Sequence, residues 1–197
     1  MSSDFFDTSD YFIQQKNVYY NRYQIYNNRR EGIGSIKLKQ NFRKKVLKFI
    51  FGKAMLPFVL EIRSANGRLE ASISRKGISL MSKTIIKDSL GQKIGRIKKN
   101  SNFFNYTFKI LNVSDEVIAE ITGDWKNWSF IVNDSSMTQI GTIDKKWVGA
   151  IKRLFKTSDK YNVHIKTNCL NENDKIAILS SAITIDMILK KCLLVRF

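Results

Sequence analysis

Acid–base or nucleophilic chemistry in this chain would have to be built from very few side chains. It holds one histidine, His164, and two cysteines, Cys169 and Cys192. One imidazole and two thiolates cannot complete a tetrahedral zinc site without a carboxylate, and two cysteines fall short of a disulfide framework, so a reducing compartment is expected. His164 lies on the polar phase of its run, opposite Tyr161, Val163 and Ile165, which reads as a surface imidazole rather than a general base. The carboxylates Asp115-Glu116 and Asp124 sit in turn signals, where acidic side chains ordinarily bond to backbone amides. The chain has no Gly-x-Ser-x-Gly elbow and no P-loop, and Gly32-Ile-Gly34 lacks the rest of a dinucleotide fingerprint. The expectation is a protein that is not an enzyme, with neither cofactor nor metal.

The abundant chemistry is cationic. Of 197 residues, 34 are Lys or Arg and 17 are Asp or Glu, a formal charge of +17. Residues 21–110 hold 21 of the basic side chains and only 4 acidic ones, so the middle of the chain carries the whole excess. A field of that strength attracts a polyanion, either an anionic lipid surface or a nucleic-acid backbone. Lys37, Lys39, Arg43, Lys44, Lys45 and Lys48 form the densest cluster, with Arg75, Lys76, Lys98 and Lys99 expected to lie nearby. Within it, residues 41–55 set Phe42, Val46, Phe49 and Ile50 against Arg43, Lys44, Lys45 and Lys48. That is the pattern of a basic amphipathic helix, able to lie on an anionic bilayer or to cap one end of the fold. An anionic phospholipid or membrane surface is the first reading of the partner. Nucleic acid is the second, without a recognition helix or a stacking motif to support it, and a protein-interaction scaffold with incidental charge is the third.

The elements that position these residues are strands. Phe58, Leu60 and Ile62 alternate with Val59, Glu61 and Arg63; Tyr106, Phe108 and Ile110 alternate with Thr107 and Lys109; Trp128, Phe130 and Val132 alternate with Ser129, Ile131 and Asn133. A period of two marks half-buried strands. Between the runs stand turn signals: Asn66-Gly67, which favours positive φ at both positions, residues 88–91, 112–115 and 133–136. Superposing the hairpins exposes a repeat of strand, polar turn and Ile-Gly-x-Ile, clear at Ile33–Ile36, Ile94–Ile97 and Ile140–Ile143, and without the glycine in the stretches ending at Ile73 and Ile121. Gly34, Gly95 and Gly141 either leave room for a bulky neighbour or mark a bulge.

Strands are expected at about 11–16, 19–26, 33–38, 58–63, 69–74, 79–87, 93–98, 104–111, 116–122, 127–133, 139–144 and 160–167. An open antiparallel sheet of that size curls or splits, so closure follows. Residues 174–191 switch to a helix apolar nearly all round, with Ser180, Ser181 and Thr184 the small exceptions, and Asp186 needing a hydrogen bond or Lys190 as partner. The expected fold is mainly β: a closed antiparallel barrel of about twelve strands around a buried C-terminal hydrophobic helix. It forms one domain over 1–197, with a short acidic tail at 1–10 and a covering helix at 147–155. The N-terminal residues lack a basic n-region and an apolar core, so a cytoplasmic location is expected, with a peripheral position at the membrane as its extension.

These residues resemble the bacterial members of the LURP-one-related and phospholipid-scramblase-like group, which share the tubby-like fold. The resemblance runs through the Ile-Gly-x-Ile hairpins, Leu56-Pro57-Phe58, Gly123-Asp-Trp-Lys126, Lys145-Lys-Trp147, residues 158–163 and Ala182-Ile-Thr-Ile-Asp186. It implies a closed twelve-strand barrel around a central hydrophobic helix, and a lipid-directed role, since members are associated with calcium-driven phospholipid movement or phosphoinositide binding. In this chain residues 159–166 replace the acid-rich, oxygen-ligand segment with lysine, asparagine and histidine. Calcium takes six or more oxygen ligands, so calcium-driven scrambling is not expected.

Overall fold

A computed structural model describes residues 4–17, 22–39, 58–75, 83–101, 106–124, 127–145, 160–166 and 170–194. The strands are β1 (Asp10–Asn17), β2 (Arg22–Tyr26), β3 (Gly32–Leu38), β4 (Phe58–Ser64), β5 (Leu69–Arg75), β6 (Thr84–Asp88), β7 (Lys93–Ser101), β8 (Tyr106–Leu111), β9 (Val117–Asp124), β10 (Ser129–Asp134), β11 (Gln139–Asp144) and β12 (Lys160–Ile165). Each pairs antiparallel with its sequence neighbours, and β1 pairs with β12 to close the barrel. A twelve-strand barrel encloses more space than its own side chains fill. The helix α1 (Glu172–Leu194) runs through that space, with Ile178, Ala182, Ile183 and Ile185 fully buried. The expected helices at 41–55 and 147–155 lie outside the described residues, as do the side chains of Leu189 and Lys190.

The period-two pattern sorts the two faces. Leu60, Ile62, Ile73, Ile86, Phe108, Ile110, Ile121, Phe130, Val163 and Ile165 point inward and are buried, while Lys37, Lys87, Lys98 and Ser129 point outward and are exposed. A membrane-spanning barrel carries its apolar band outside; this barrel is built the other way round. Small polar residues on α1 bond to their own helix, with Ser181 Oγ donating to the Ala177 carbonyl and Thr184 Oγ1 to the Ser180 carbonyl, each at 2.8 Å. Asp186 is fully buried, and the Tyr23 hydroxyl donates to its Oδ2 at 3.0 Å. Burial, with Asp186 and Tyr23 beside it, pushes the Tyr161 phenol well above its usual range.

The repeat proves to be a turn-and-bulge unit. Five hairpins close with one hydrogen-bond pattern, in which the first and fifth residues pair and the fourth amide donates to the first carbonyl: 27–31, 64–68, 88–92, 112–116 and 134–138. The fourth residue has positive φ every time, at Arg30, Gly67, Gly91, Asp115 and Met137. Asn27, Asp88, Asn112 and Asp134 accept amides of the third and fifth residues on Oδ1. The expectation for Asn66-Gly67 is corrected accordingly: Gly67 alone is left-handed, because this is a three-residue loop with a bulge and not a two-residue turn. Register shifts beside each turn leave Ile33, Glu70, Ile94, Ile118 and Ile140 without a partner position. In the three glycine copies the bulge residue is therefore the first isoleucine of the repeat.

The next residue then faces the following strand at close range. A methyl group on Gly95 would stand 2.5 Å from the Leu111 carbonyl oxygen, and one on Gly34 would stand 2.6 Å from both the Arg63 carbonyl oxygen and the Phe5 ring. Both readings of the glycines hold at Gly34, which borders a bulge and admits an aromatic ring. That ring corrects the expectation of an acidic tail at 1–10. Residues Asp4–Phe6 form a 3-10 turn, Phe5 and Phe6 are buried in the core, and Lys175 Nζ donates to the Phe6 carbonyl at 3.2 Å. Two adjacent phenylalanines outweigh the neighbouring charges because burial of each contributes roughly 2 kcal/mol. In the copies without glycine, Ala71 and Ala119 occupy the same position fully buried. Gly95→Ala should therefore destabilise the protein by about 1–3 kcal/mol in urea unfolding, since the obstruction is backbone and cannot turn aside. Ala71→Gly should cost no more than about 1 kcal/mol.

Candidate functional site: the basic and aromatic end of the barrel

In an up-and-down barrel successive connections alternate between the two ends. Five tight turns and the β12–α1 connection share one end. The other end, here the mouth, receives the connections 18–21, 39–57, 76–83, 102–105, 125–128 and 145–159. Those six stretches contain fourteen basic side chains and one acidic, with eleven aromatic residues. The opposite end's connections contain four basic, three acidic and no aromatic residues. Sequence clustering picked out part of this asymmetry; Lys53, Lys126, Lys146, Lys152, Arg153 and Lys156 join it once connections are assigned to ends by their odd or even order.

The structure divides the ten cations read from sequence. Lys37 is exposed on the outer face of β3, and Lys39, just past its end, lies 3.3 Å from Glu61. Glu61 also takes Arg63 at 2.9 Å, and the Arg63 hydrogen bond is the main cause that holds its carboxyl below the ordinary range. Lys98 is exposed on the outer face of β7 beside Lys109, which pairs with Glu120 at 3.3 Å. Arg75 and Lys99 are corrections to the picture of one surface cluster. Both take the inward phase of their strands, Arg75 at 4% exposure and Lys99 half-buried opposite Phe108. Lys99 is two positions from the inward Ile97, and the period of two allows no other side. Arg43, Lys44, Lys45, Lys48 and Lys76 lie outside the described residues.

The mouth also holds an aromatic post that the sequence reading took only as a strand residue. Trp128 is buried with φ of 51°, edge-on to Phe130 at 5.9 Å and tilted against Tyr161 at 5.8 Å. Lys145 Nζ stands 4.5 Å above its ring and the Lys145 amide donates to the Trp128 carbonyl. Asp124 serves the same turn, accepting from the Asn127 amide and side chain. An open cleft of about 430 Å³ at the opposite end, lined by Asp7, Arg29 and Glu31 among others, gathers none of the ten cations.

His164 does face outward, and it has a partner: its Nδ1 lies 3.0 Å from Asp10 Oδ1 across the closing β1–β12 seam. An ionised carboxylate only accepts, so Nδ1 carries the proton. Asp10 accepts from Ser9 and Asn162 as well. Burial pushes its carboxyl up, but the hydrogen bonds from His164, Ser9 and Asn162 outweigh that and hold it below the ordinary value. Asp115 lies 2.7 Å from Arg96, and Glu116 accepts from Asn112, so these acids are structural. Among the described residues no group of three or more His, Cys, Asp or Glu side chains could hold a metal ion. An acid with a depressed folded pKa stabilises the fold above its unfolded pKa and loses that contribution as pH falls through the folded value. Asp10→Asn should therefore lower stability by about 1 kcal/mol at neutral pH. The gap from wild type should close below about pH 4 in a pH series of urea unfolding curves.

Among the described residues no helix is long and apolar enough to cross a membrane. The fold matches the X-ray structure of a protein from Arabidopsis thaliana, AT5G01750, with a TM-score of 0.56 at 10% sequence identity, covering 90% of this chain and 88% of that one. At that identity the likeness concerns the fold, a barrel around a central helix, as the resemblance implied. No curated protein sequence matches the chain. The Scramblase family matches residues 13–189, from within β1 through the buried part of α1. With nearly every strand and the central helix inside that span, the chain belongs to the Scramblase family.

Proposed function

We propose that this protein is a non-enzymatic binder of anionic phospholipid surfaces that docks through the mouth of its barrel. The observation that carries the reading is the unequal content of the connections at the two ends: fourteen basic, one acidic and eleven aromatic residues at the mouth, against four basic, three acidic and no aromatic residues at the other. Lysine and arginine near an anionic bilayer each contribute on the order of 1 kcal/mol, and aromatic rings partition to the headgroup region. Membership in the Scramblase family supports a phospholipid as the partner. The polar outer wall supports contact by one end, with the barrel itself outside the hydrocarbon.

Sedimentation with phosphatidylcholine vesicles, with vesicles containing phosphatidylserine and with duplex DNA, at two salt concentrations, tests the reading. Binding to the anionic vesicles should fall steeply with salt because the contact is screened within a Debye length. Charge reversal at Arg43, Lys44, Lys45 and Lys48 should abolish it without altering thermal unfolding, and Phe42→Ala with Phe49→Ala should weaken it. Binding to DNA alone, with the same salt slope, would replace the lipid reading by the nucleic-acid one. Binding to neither would leave a protein-interaction scaffold. Millimolar calcium should leave the melting temperature unchanged, since the segment 159–166 lacks the carboxylates a calcium site requires.

A further inference from the structure

The barrel interior changes character along its axis. Toward the tight turns its inner face is built from residues such as Ile62, Ala71, Ile86 and Ile110. Toward the mouth, Gln15, Tyr23, Arg75 and Thr84 take inward positions and are buried, and Lys99 is inward and half-buried. These groups fall on two walls. Asp186 of α1 is bonded to Tyr23 of β2, with Tyr161 of β12 beside it, on the side of the barrel around β1. Arg75, Thr84 and Lys99 stand on the three consecutive strands β5, β6 and β7 across the axis. The inner layer at the mouth therefore has an acidic side and a basic side.

The register brings the basic group together. Arg75 and Thr84 are direct cross-strand partners, Thr84 is the partner of Ile97, and Lys99 follows two residues later on the same face. With strands ~4.8 Å apart and ~3.3 Å per residue, the Arg75 and Lys99 Cα atoms are separated by roughly 12 Å, within reach of a common centre for two long side chains. We infer that Arg75, Thr84 and Lys99 form an inward-facing subsite at the mouth that takes one phosphate group, from a lipid headgroup or free in solution. A guanidinium offers five donors in a planar fork, so it can serve a phosphate while holding other contacts, and the ammonium and hydroxyl add donors from the neighbouring strands. Burial works against the charged form of Arg75; an anion beside it works the other way. A site inside a barrel wall admits a single small group and excludes a duplex. This inference rests on the lipid-surface reading for its biological ligand but makes a separate demand, since surface adsorption needs no inward cation.

Lys98 and Lys99 provide the test, being adjacent in sequence and on opposite sides of one strand. Titration calorimetry would use two probes, water-soluble dihexanoyl phosphatidic acid and inorganic phosphate. Lys99→Gln should weaken binding at least tenfold, whereas Lys98→Gln should change it less than twofold, with thermal unfolding of both variants as in wild type. Arg75→Lys should retain part of the affinity that Arg75→Gln loses; should the Arg75 variants fail to fold, the lysine pair still decides. Binding of the short-chain lipid alone would identify a headgroup site, and equal binding of inorganic phosphate would identify a free-phosphate site. Equal losses in the two lysine variants, or no binding of either probe to wild type, would overturn the inference. In the latter case salt-sensitive sedimentation with phosphatidylserine vesicles would leave the surface reading standing by itself, and its absence would remove both.

Discussion

The lumen of a twelve-strand barrel has to be filled, and the apolar helix Glu172–Leu194 fills it. An ordinary amphipathic helix would bring a charged face into the core, where each unpaired charge costs several kcal/mol. Residues 176–187 instead present apolar or small side chains in every direction except at Asp186, and every one of them is buried. The strands answer with the complementary pattern, one apolar residue in two. Ser180, Ser181 and Thr184 let the helix approach the wall closely, and Tyr23 supplies the hydroxyl that a buried carboxylate requires. Neither helix nor wall has a stable apolar surface without the other, so the helix completes the core formed by all twelve strands.

The second constraint is the turn. A three-residue loop with a left-handed fourth position forces a bulge into the returning strand, and the bulge turns the following residue toward the next strand's backbone. That geometry explains why one position accepts glycine or alanine in all five hairpins: Gly34, Ala71, Gly95, Ala119 and Gly141. It also explains the acidic and amide residues that open four of the turns, since Asn27, Asp88, Asn112 and Asp134 each hold two amides that the bulge would otherwise leave exposed. The internal repeat is a steric requirement written five times. At Gly34 the same space is shared with Phe5, which ties the N-terminal turn to the base of the helix through Lys175.

Much of this is legible in the sequence because it is periodic. Alternation gave the strand faces, the change to an all-round apolar segment marked the central helix, and the Ile-Gly-x-Ile repeat located the hairpins. What escapes a linear reading is anything that depends on contact across the barrel. Nothing near His164 announces Asp10, which is 154 positions away and meets it only when the seam closes. Phe5 and Phe6 look like part of an acidic tail until the space above Gly34 is known. The ten cations look like one patch because they were grouped by position along the chain. The period of two then separates Lys98 from Lys99 and turns Arg75 inward, because Lys99 is two positions from Ile97 and Arg75 two positions from Ile73, both buried.

The two ends of the barrel carry different kinds of information. At one end every hairpin closes with the same backbone hydrogen-bond pattern, and in four of the five the opening Asn or Asp side chain holds two amides of the turn, so sequence there is spent on closing the fold. At the mouth the connections range from 4 to 19 residues. Loops released from closing the fold are where binding residues can accumulate without loss of stability. Charge in connecting segments also does less harm to a barrel than charge in its core, because solvent screens it. A net charge of +17 on 197 residues is tolerable when most of the excess falls in the connections rather than at inward strand positions, and among those inward positions Arg75, Thr84 and Lys99 interrupt the hydrophobic lining on β5, β6 and β7.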